Sequence, residues 1–494
     1  MSHRGRKRGV TMLTIEEIKY FMEQDKSSEK KRNARKGADY YEGRHDIKDY
    51  RIFYYDADGI LREDKTRSNV KLCHPFFTEL TDQATQYILS GNEPFIRSDR
   101  PELQNDLDEY FNNNESFKAE LEEFITDMQQ KGFAYMYAYK NTRDNIAFQT
   151  ADSLGVIEIR AKDTDDHCDY VIYYFVDRVE RGRKVITRIQ VWDQKETWFY
   201  VQDGNGDVTL DDSEEINPKP HTLYRQKDVT YYEEFGFIPF FRGDNNKKQK
   251  SSLYTTKDII DDYDIMASSL SNNLIDFDKP IYVVKGFEGD DFTELQQNIK
   301  TKKMVGLNTD DNSGMDVLTV NIPYEARKVK LELDEKNIYR FGMGLNMSGL
   351  KDTSATTNIA IKAAYSLLDL RCAKIETRLK QFLQKLVELV LKEINEKSKT
   401  DYQMKDVTIR FKHEIMSNAQ ENEQIELTKA QRQQVLTNTI MSLANVLDDD
   451  TVVRLICDAM EIDYETVKDK LPVDEYQATE LAQRLLDEVE PEKI

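Results

Sequence analysis

The sequence predicts an α+β chain, and three observations carry that reading. Short runs rich in β-branched and aromatic residues are confined to about 133–240, where FAYMYAY, VIEIRA, YVIYYFV, VITRIQVW and TWFYVQ follow one another. Helical apolar spacing occupies the flanks, as at Leu103, Leu107, Tyr110 and Phe111, then Leu121, Phe124, Ile125 and Met128. From 358 to about 396 no Gly or Pro interrupts an apolar face of Leu368, Ile375, Leu379, Phe382, Leu386, Leu389 and Val390. As one helix that stretch would span roughly 57 Å, and so long a helix without breakers suggests a large assembly rather than a small domain.

In chain order, residues 1–35 read as a basic arm (Arg4, Arg6, Lys7, Arg8) and a short helix, with Thr14 as N-cap and Glu17 three residues on. Glu16 and Glu17 come too soon to leave room for the apolar core of a secretory signal. Helices are expected over 75–92 and 102–131. The β-rich region is built from hairpins, one turning at Asp203-Gly204-Asn205-Gly206. Asp203, Asn205, Asp207, Asp211 and Glu214 match calcium-loop positions, but Val208 stands where that loop needs glycine, so a hairpin is the better reading.

Residues 254–277 return to helix. Ile259, Tyr263, Met266, Leu270 and Leu274 form its apolar stripe, while Asp258, Asp261, Asp262, Asp264, Asp276 and Asp278 face a single Lys257. Residues 279–322 are mixed, with strands at IYVV and DVLTV and a possible helix near 291–300. A further helix fits 323–341. Gly342, Gly344 and Gly349 then mark a glycine-rich break that stays polar through Thr357. Beyond the long helix come a strand (VTIRF) and an acidic helical region.

Composition bounds the function. The 494 residues carry a net charge of −21, of which −11 lies in 401–494. An acidic chain is a poor candidate for tight, sequence-independent DNA binding, because phosphate affinity comes from Lys and Arg. DNA as a passing cargo remains compatible, since a surface that repels phosphate does not hold the duplex. The 49 Phe and Tyr residues argue for a core and against global disorder. Cys73, Cys168, Cys372 and Cys457 include no CxxC pair, the pattern of a reduced protein. No apolar run approaches 18 residues, so no transmembrane helix is expected.

No GxxxxGK[ST] is present, and the glycines at 342, 344 and 349 miss the GxGxxG spacing. Asp163 to Cys168 hold ligand-type side chains, but neighbours in an extended chain point to opposite faces. Asp261, Asp262 and Asp264 lie opposite an apolar stripe and read as a solvated face rather than a two-metal centre. No catalytic residue, metal or cofactor is therefore assigned.

Five short elements, in order, resemble the portal proteins of tailed phages, the type common in siphophages of Gram-positive bacteria. They are Tyr40-Tyr41-Glu42-Gly43-Arg44-His45-Asp46-Ile47; Asn69-Val70-Lys71 with Tyr87, Gly91 and Pro94; Gly132 to Tyr139; Gly236-Phe237-Ile238-Pro239 with Asn245-Asn246; and Ile260-Asp261-Asp262-Tyr263-Asp264. The match departs at Gly349, where the family often has an acidic residue, and at Thr357-Asn358, where it often has Ser-Gly.

The resemblance implies a portal fold assembled as a ring of about twelve subunits, in the order N-terminal arm 1–35, wing 36–250, first stem helix 251–278, clip 279–322, second stem helix 323–341, tunnel loop 342–357, long wing helix 358–400 and crown 401–494. It implies a DNA channel at one capsid vertex, assembled in the host cytoplasm and retained in the virion. The partners it implies are the terminase large subunit, major capsid and scaffolding proteins, a head-completion or tail adaptor protein, and double-stranded DNA as cargo, with no membrane. DNA-facing residues would be Asn346, Met347, Ser348, Gly349, Leu350, Lys351, Asp352 and Thr353, with Leu345, Met347 and Leu350 packing between neighbouring loops. Asp258, Asp261, Asp262 and Asp264 would line the channel, and Phe287 and Phe292 would dock partners. Two other classes fit the residues less well: a different oligomeric head or tail component, and a metal-dependent DNA-processing enzyme.

Overall fold

The computed structural model describes residues 12–160, 168–180, 184–204, 206–226, 229–277, 281–285, 314–318, 323–346, 358–413, 419–443, 447–460 and 464. The chain divides into two compact units, 1–346 with 364–414, and 347–363 with 415–494.

The first unit is an α+β body. Helix α1 (Ile15–Ser27) opens on the expected capping box: the Glu17 amide donates to Thr14 Oγ1 at 3.3 Å, and the Thr14 amide donates back to the Glu17 carboxylate at 2.8 Å. Ser28 ends α1 and at once caps α2 (Glu29–Tyr41), accepting from the Lys31 amide at 3.2 Å. Sequence reading missed α2 because its charge density hides an inward face of Ala34, Gly37, Ala38 and Tyr40. Lys31 is buried there and donates to the carbonyls of Ser153, Leu154 and Val156 at 2.7–3.0 Å, with Asp25 at 3.3 Å. Burial pushes its ammonium down to about 8.

A hairpin, β1 (Phe53–Tyr55) and β2 (Leu61–Glu63), precedes α3 (Phe76–Leu89). A short strand β3 (Ile96–Arg97) follows. The helix expected over 102–131 is two, α4 (Pro101–Leu107) and α5 (Glu115–Lys131), joined through a π turn. Asn114 restarts the helix by accepting from the Phe117 amide at 3.1 Å.

The β-rich region forms two larger sheets and a separate antiparallel hairpin, β12 (Thr222–Gln226) with β13 (Val229–Glu233). In one, β4 (Phe133–Lys140) is central between β5 (Ile146–Ala151) and β14 (Phe240–Asp244). In the other, β6 (Val156–Ile159), β7 (Tyr170–Glu180), β8 (Lys184–Trp192), β9 (Glu196–Asp203) and β10 (Val208–Leu210) run antiparallel in sequence order, and β11 (Lys219–Pro220) also pairs with β9. The tempting calcium loop is the β9–β10 turn, with Gln202 opposite Val208. Helix α1 covers this second sheet through Leu13, Ile18 and Met22 against Ile172, Ile189 and Tyr200. Phe133, Tyr135, Val171 and Trp192 fill the space between the two sheets.

A second core joins four helices: Tyr40 of α2, Phe77 and Leu80 of α3, Ile260 of α6 (Lys257–Phe277) and Ile338 and Tyr339 of α7 (Tyr324–Gly342). Between α6 and α7 lies an antiparallel strand pair, β15 (Ile281–Lys285) with β16 (Gly314–Leu318). Helix α8 (Asn358–Ser398) has 41 residues. Within the first unit its buried face includes Leu368, Ile375, Leu379 and Phe382, and Phe382 stacks on Phe124 with ring centroids 3.9 Å apart. The VTIRF strand shrinks to β17 (Thr408–Ile409), because its partner β3 offers only two residues.

The second unit contains α9 (Ala419–Leu443) and α10 (Asp449–Ala459), the latter capped by Asp448, which accepts from the Thr451 amide at 3.1 Å. Val452, Ile456 and Cys457 form the buried side of α10. No helix among the described residues is long and apolar enough to cross a membrane.

Candidate functional site

The acidic helix α6 is held along its length by an extended strap. Asp264, Ser268, Asn272 and Asp276 recur every four residues and so share one face of the helix. They accept, in turn, the backbone amides of His74 (3.0 Å), Leu72 (3.0 Å), Val70 (2.6 Å) and Ser68 (3.2 Å). The fit is geometric: four helical residues rise about 6.0 Å, and two extended residues span about 6.6 Å. The Ser68 hydroxyl adds a 2.6 Å bond to Asp276, and the Asn272 amide returns one to the Val70 carbonyl at 3.3 Å.

The top of this seam is a buried histidine–carboxylate cluster. Asp264 is 0 % exposed; His45 Nδ1 lies 2.6 Å from one carboxylate oxygen and His74 Nδ1 2.8 Å from the other. Burial would raise this carboxyl, but the hydrogen bonds from His45 and His74 outweigh it and hold the group below the usual carboxylate range. Tyr40 stacks on His45 with centroids 4.4 Å apart and donates its hydroxyl to Asp261. Lys257 bridges Asp261 at 2.6 Å and Asp46 at 2.8 Å. Two of the motif elements that carried the resemblance, Tyr40 to Ile47 and Ile260 to Asp264, therefore meet here.

His45, Cys73 and Asp264 bring ligand-type atoms within 4.8 Å of one another. The set does not fit a zinc ion as arranged. Tetrahedral nitrogen and oxygen ligands would stand about 3.3 Å apart, whereas His45 and Asp264 are at the 2.6 Å of a hydrogen bond.

The four carboxylates expected on the channel wall thus separate. Asp264 is corrected: it is sealed beneath the strap and does not reach solvent. Asp261 is half-buried in its contacts to Tyr40 and Lys257. Asp262 is exposed but pairs with Lys330 of α7 at 2.5 Å, and Lys330 also contacts Asp334. Asp258 is exposed. Of the docking candidates, Phe287 and Phe292 lie outside the described residues.

The glycine-rich break begins as packed structure. Gly342 closes α7, Met343 turns left-handed at φ 54°, and the Gly344 amide donates to the Tyr339 carbonyl at 2.9 Å. Gln83 of α3 clamps Leu345 from both sides, accepting from its amide and donating to its carbonyl at 3.0 Å each. Leu345 is buried in its own subunit, which corrects its assignment to a collar between subunits. Nor do Gly342 and Gly344 provide looseness: a Cβ on either would stand 2.5 Å or 2.2 Å from a methyl of the buried Leu80. They are small because α3 passes close by. Asn346 is half-buried, while Met347, Ser348, Gly349, Leu350, Lys351, Asp352 and Thr353 lie outside the described residues.

One residue that sequence reading did not single out holds this root. Arg371 of α8 is buried and donates to the carbonyls of Leu80 (2.8 Å) and Gly342 (3.1 Å) and to Gln129 Oε1 (2.8 Å). No carboxylate lies within ion-pair distance of it among the described residues, and burial pushes its guanidinium down to about 10. It ties α3, α5 and the last carbonyl of α7 to the long helix, placing positive charge at a helix C-terminus. A lone arginine on the mostly apolar face of α8 was the available signal.

Comparison with known proteins finds relatives over most of the chain. The family model described as phage portal protein, SPP1 Gp6-like, matches residues 22–468. A portal protein of Bacillus phage SPP1 is 24% identical over 390 residues, covering 78% of this chain and 75% of the relative. A portal protein of Clostridium phage phiCD119 is 23% identical over 403 residues, covering 77% and 85%.

Proposed function

The chain belongs to the SPP1 Gp6-like family of phage portal proteins, whose function is to form the DNA channel of the viral head, and from that premise we propose which parts of it carry which task. Helices α6 and α7 are the stem, and the segment between them, 279–322, is the clip that meets the terminase large subunit and later a head-completion or tail adaptor protein. Residues 347–357 form the tunnel loop on its packed root, α8 is the wing-crossing helix, and 401–494 the crown. About twelve copies close the ring at a capsid vertex, among major capsid and scaffolding proteins. Asp258 and Asp262, with Asp261 behind them, face the DNA and repel its phosphates, so the duplex slides without adhering. Met347, Ser348, Gly349, Leu350, Lys351, Asp352 and Thr353 touch the passing duplex, and Phe287 and Phe292 dock partners.

The observation that carries this reading is the antiparallel α6–α7 pair. It leaves the body and returns to it around a two-stranded sheet: Ile260 packs with Ile338, Asp262 pairs with Lys330, and the Asn273 amide faces Arg327. Negative-stain microscopy of the full chain should show rings with a central channel. Native mass spectrometry should give a species near twelve times the 57.9 kDa subunit. A chain that remains monomeric at every concentration, with and without scaffolding protein, would overturn the assignment of these parts.

A further inference from the structure

Among the described residues of its own chain nothing covers the hairpin β1–β2. Its strands have three residues each, and all six positions are exposed. A lone two-stranded hairpin is marginal in water and needs a covering layer. Its register pairs Tyr55 with Leu61 and Phe53 with Glu63, so Phe53, Tyr55 and Leu61 share one face. Those three are 53 %, 73 % and 53 % exposed. That face, which Glu63 shares, offers roughly 350 Å² of largely apolar surface, nearly half of the ~800 Å² per partner in a standard interface.

We propose that this hairpin packs against α7 of the neighbouring copy of this chain, covering Val329 and Leu333. The inference rests on the ring and stem assignments above. A ring contact is heterologous, so each copy must carry two different complementary patches. The second patch is on α7, where Val329 and Leu333 are more than half exposed and one helical turn apart. The heights agree. The strap fixes the root of the hairpin at Asn272 and Asp276 of α6, and the neighbouring Asn273 faces Arg327 of α7, two residues before Val329. Rotation about an axis along the α6–α7 pair preserves height, so the hairpin of one copy arrives level with these residues on the next.

The strap gains a purpose from this. An extended arm that transmits a subunit contact must not swing, and four alternate backbone amides tied to α6 hold it.

The test compares the full-length chain with a triple variant, Phe53→Ser, Tyr55→Ser and Leu61→Ser. The variant should melt like the parent, because the replaced side chains touch no core, yet its concentration for half-assembly should rise at least tenfold, roughly. In a parallel arm benzoylphenylalanine replaces Tyr55, and isotopically light and heavy chains are mixed before irradiation. Crosslinks should join light to heavy chains and map to 324–333. Rings that assemble at the parental concentration in the triple variant would overturn the proposal, as would crosslinks confined to single chains or directed to another head protein. Failure of the parent chain itself to assemble would instead overturn the ring assignment on which the inference rests.

Discussion

Replacing Arg371 by methionine tests whether the root of the glycine-rich segment is pinned by the long helix. Methionine keeps the length and apolar bulk of the side chain but removes three donated hydrogen bonds, to Leu80, Gly342 and Gln129. Bonds from a charged donor contribute about 1.5–3 kcal/mol each, so the gross loss is about 4.5–9 kcal/mol. Against this, methionine recovers the several kcal/mol of desolvating a guanidinium that has no carboxylate beside it. The balance is a loss of about 2–4 kcal/mol, read as a fall of roughly 2–5 °C in the unfolding midpoint of a unit this large. Hydrogen exchange supplies the local readout: the amides of Met343, Gly344 and Leu345 should exchange faster, while those of the β7–β8 ladder should not. Arg371→Lys should rescue only in part, because an ammonium lacks the planar fork that reaches three separate acceptors. A methionine variant that melts within about 1 °C of the parent, with unchanged exchange at 343–345, would refute the argument.

Three further outcomes follow from the same geometry. Because the Asp264 carboxyl is held below its ordinary value, its stabilisation is present above about pH 4 and is lost as the pH falls through the folded-state value; Asp264→Asn should therefore lower stability at neutral pH by about 1.5–3 kcal/mol, and its deficit in thermal melts should narrow in acid. Gly344→Ala forces a methyl into Leu80, which is itself fully buried, and should cost about 1–3 kcal/mol of overpacking, whereas a parental melting temperature would mean that α3 yields. Asp258→Lys with Asp262→Lys should slow DNA packaging in a reconstituted terminase reaction, more at low salt than at high salt; equal rates at low salt would remove these two residues from the channel wall.

The amino-acid sequence by itself determined what depends on neighbours along the chain. Thr14 and Glu17 announced their capping box, Asp203 to Gly206 their turn, and the absence of Gly and Pro after 358 the long helix. Each is a local preference that later packing had no reason to override. The motif order that led to the portal family was likewise legible, but the reason for those residues was not. Asp264 lies 219 positions from His45, and only the meeting of α2, α6 and the strap turns an apparent solvated acidic face into a sealed hydrogen-bonded cluster. The four-residue recurrence of Asp264, Ser268, Asn272 and Asp276 was visible; that an extended strand would lay its alternate amides against it was not, because nothing local fixes the path of residues 68–74. The same holds for Gly342 and Gly344, which marked a break in the helical pattern and are small because α3 passes against them. Periodicity reports which face of an element is apolar, whereas which polar atom is buried depends on what the rest of the chain brings to that face, and that was decided only by the tertiary structure.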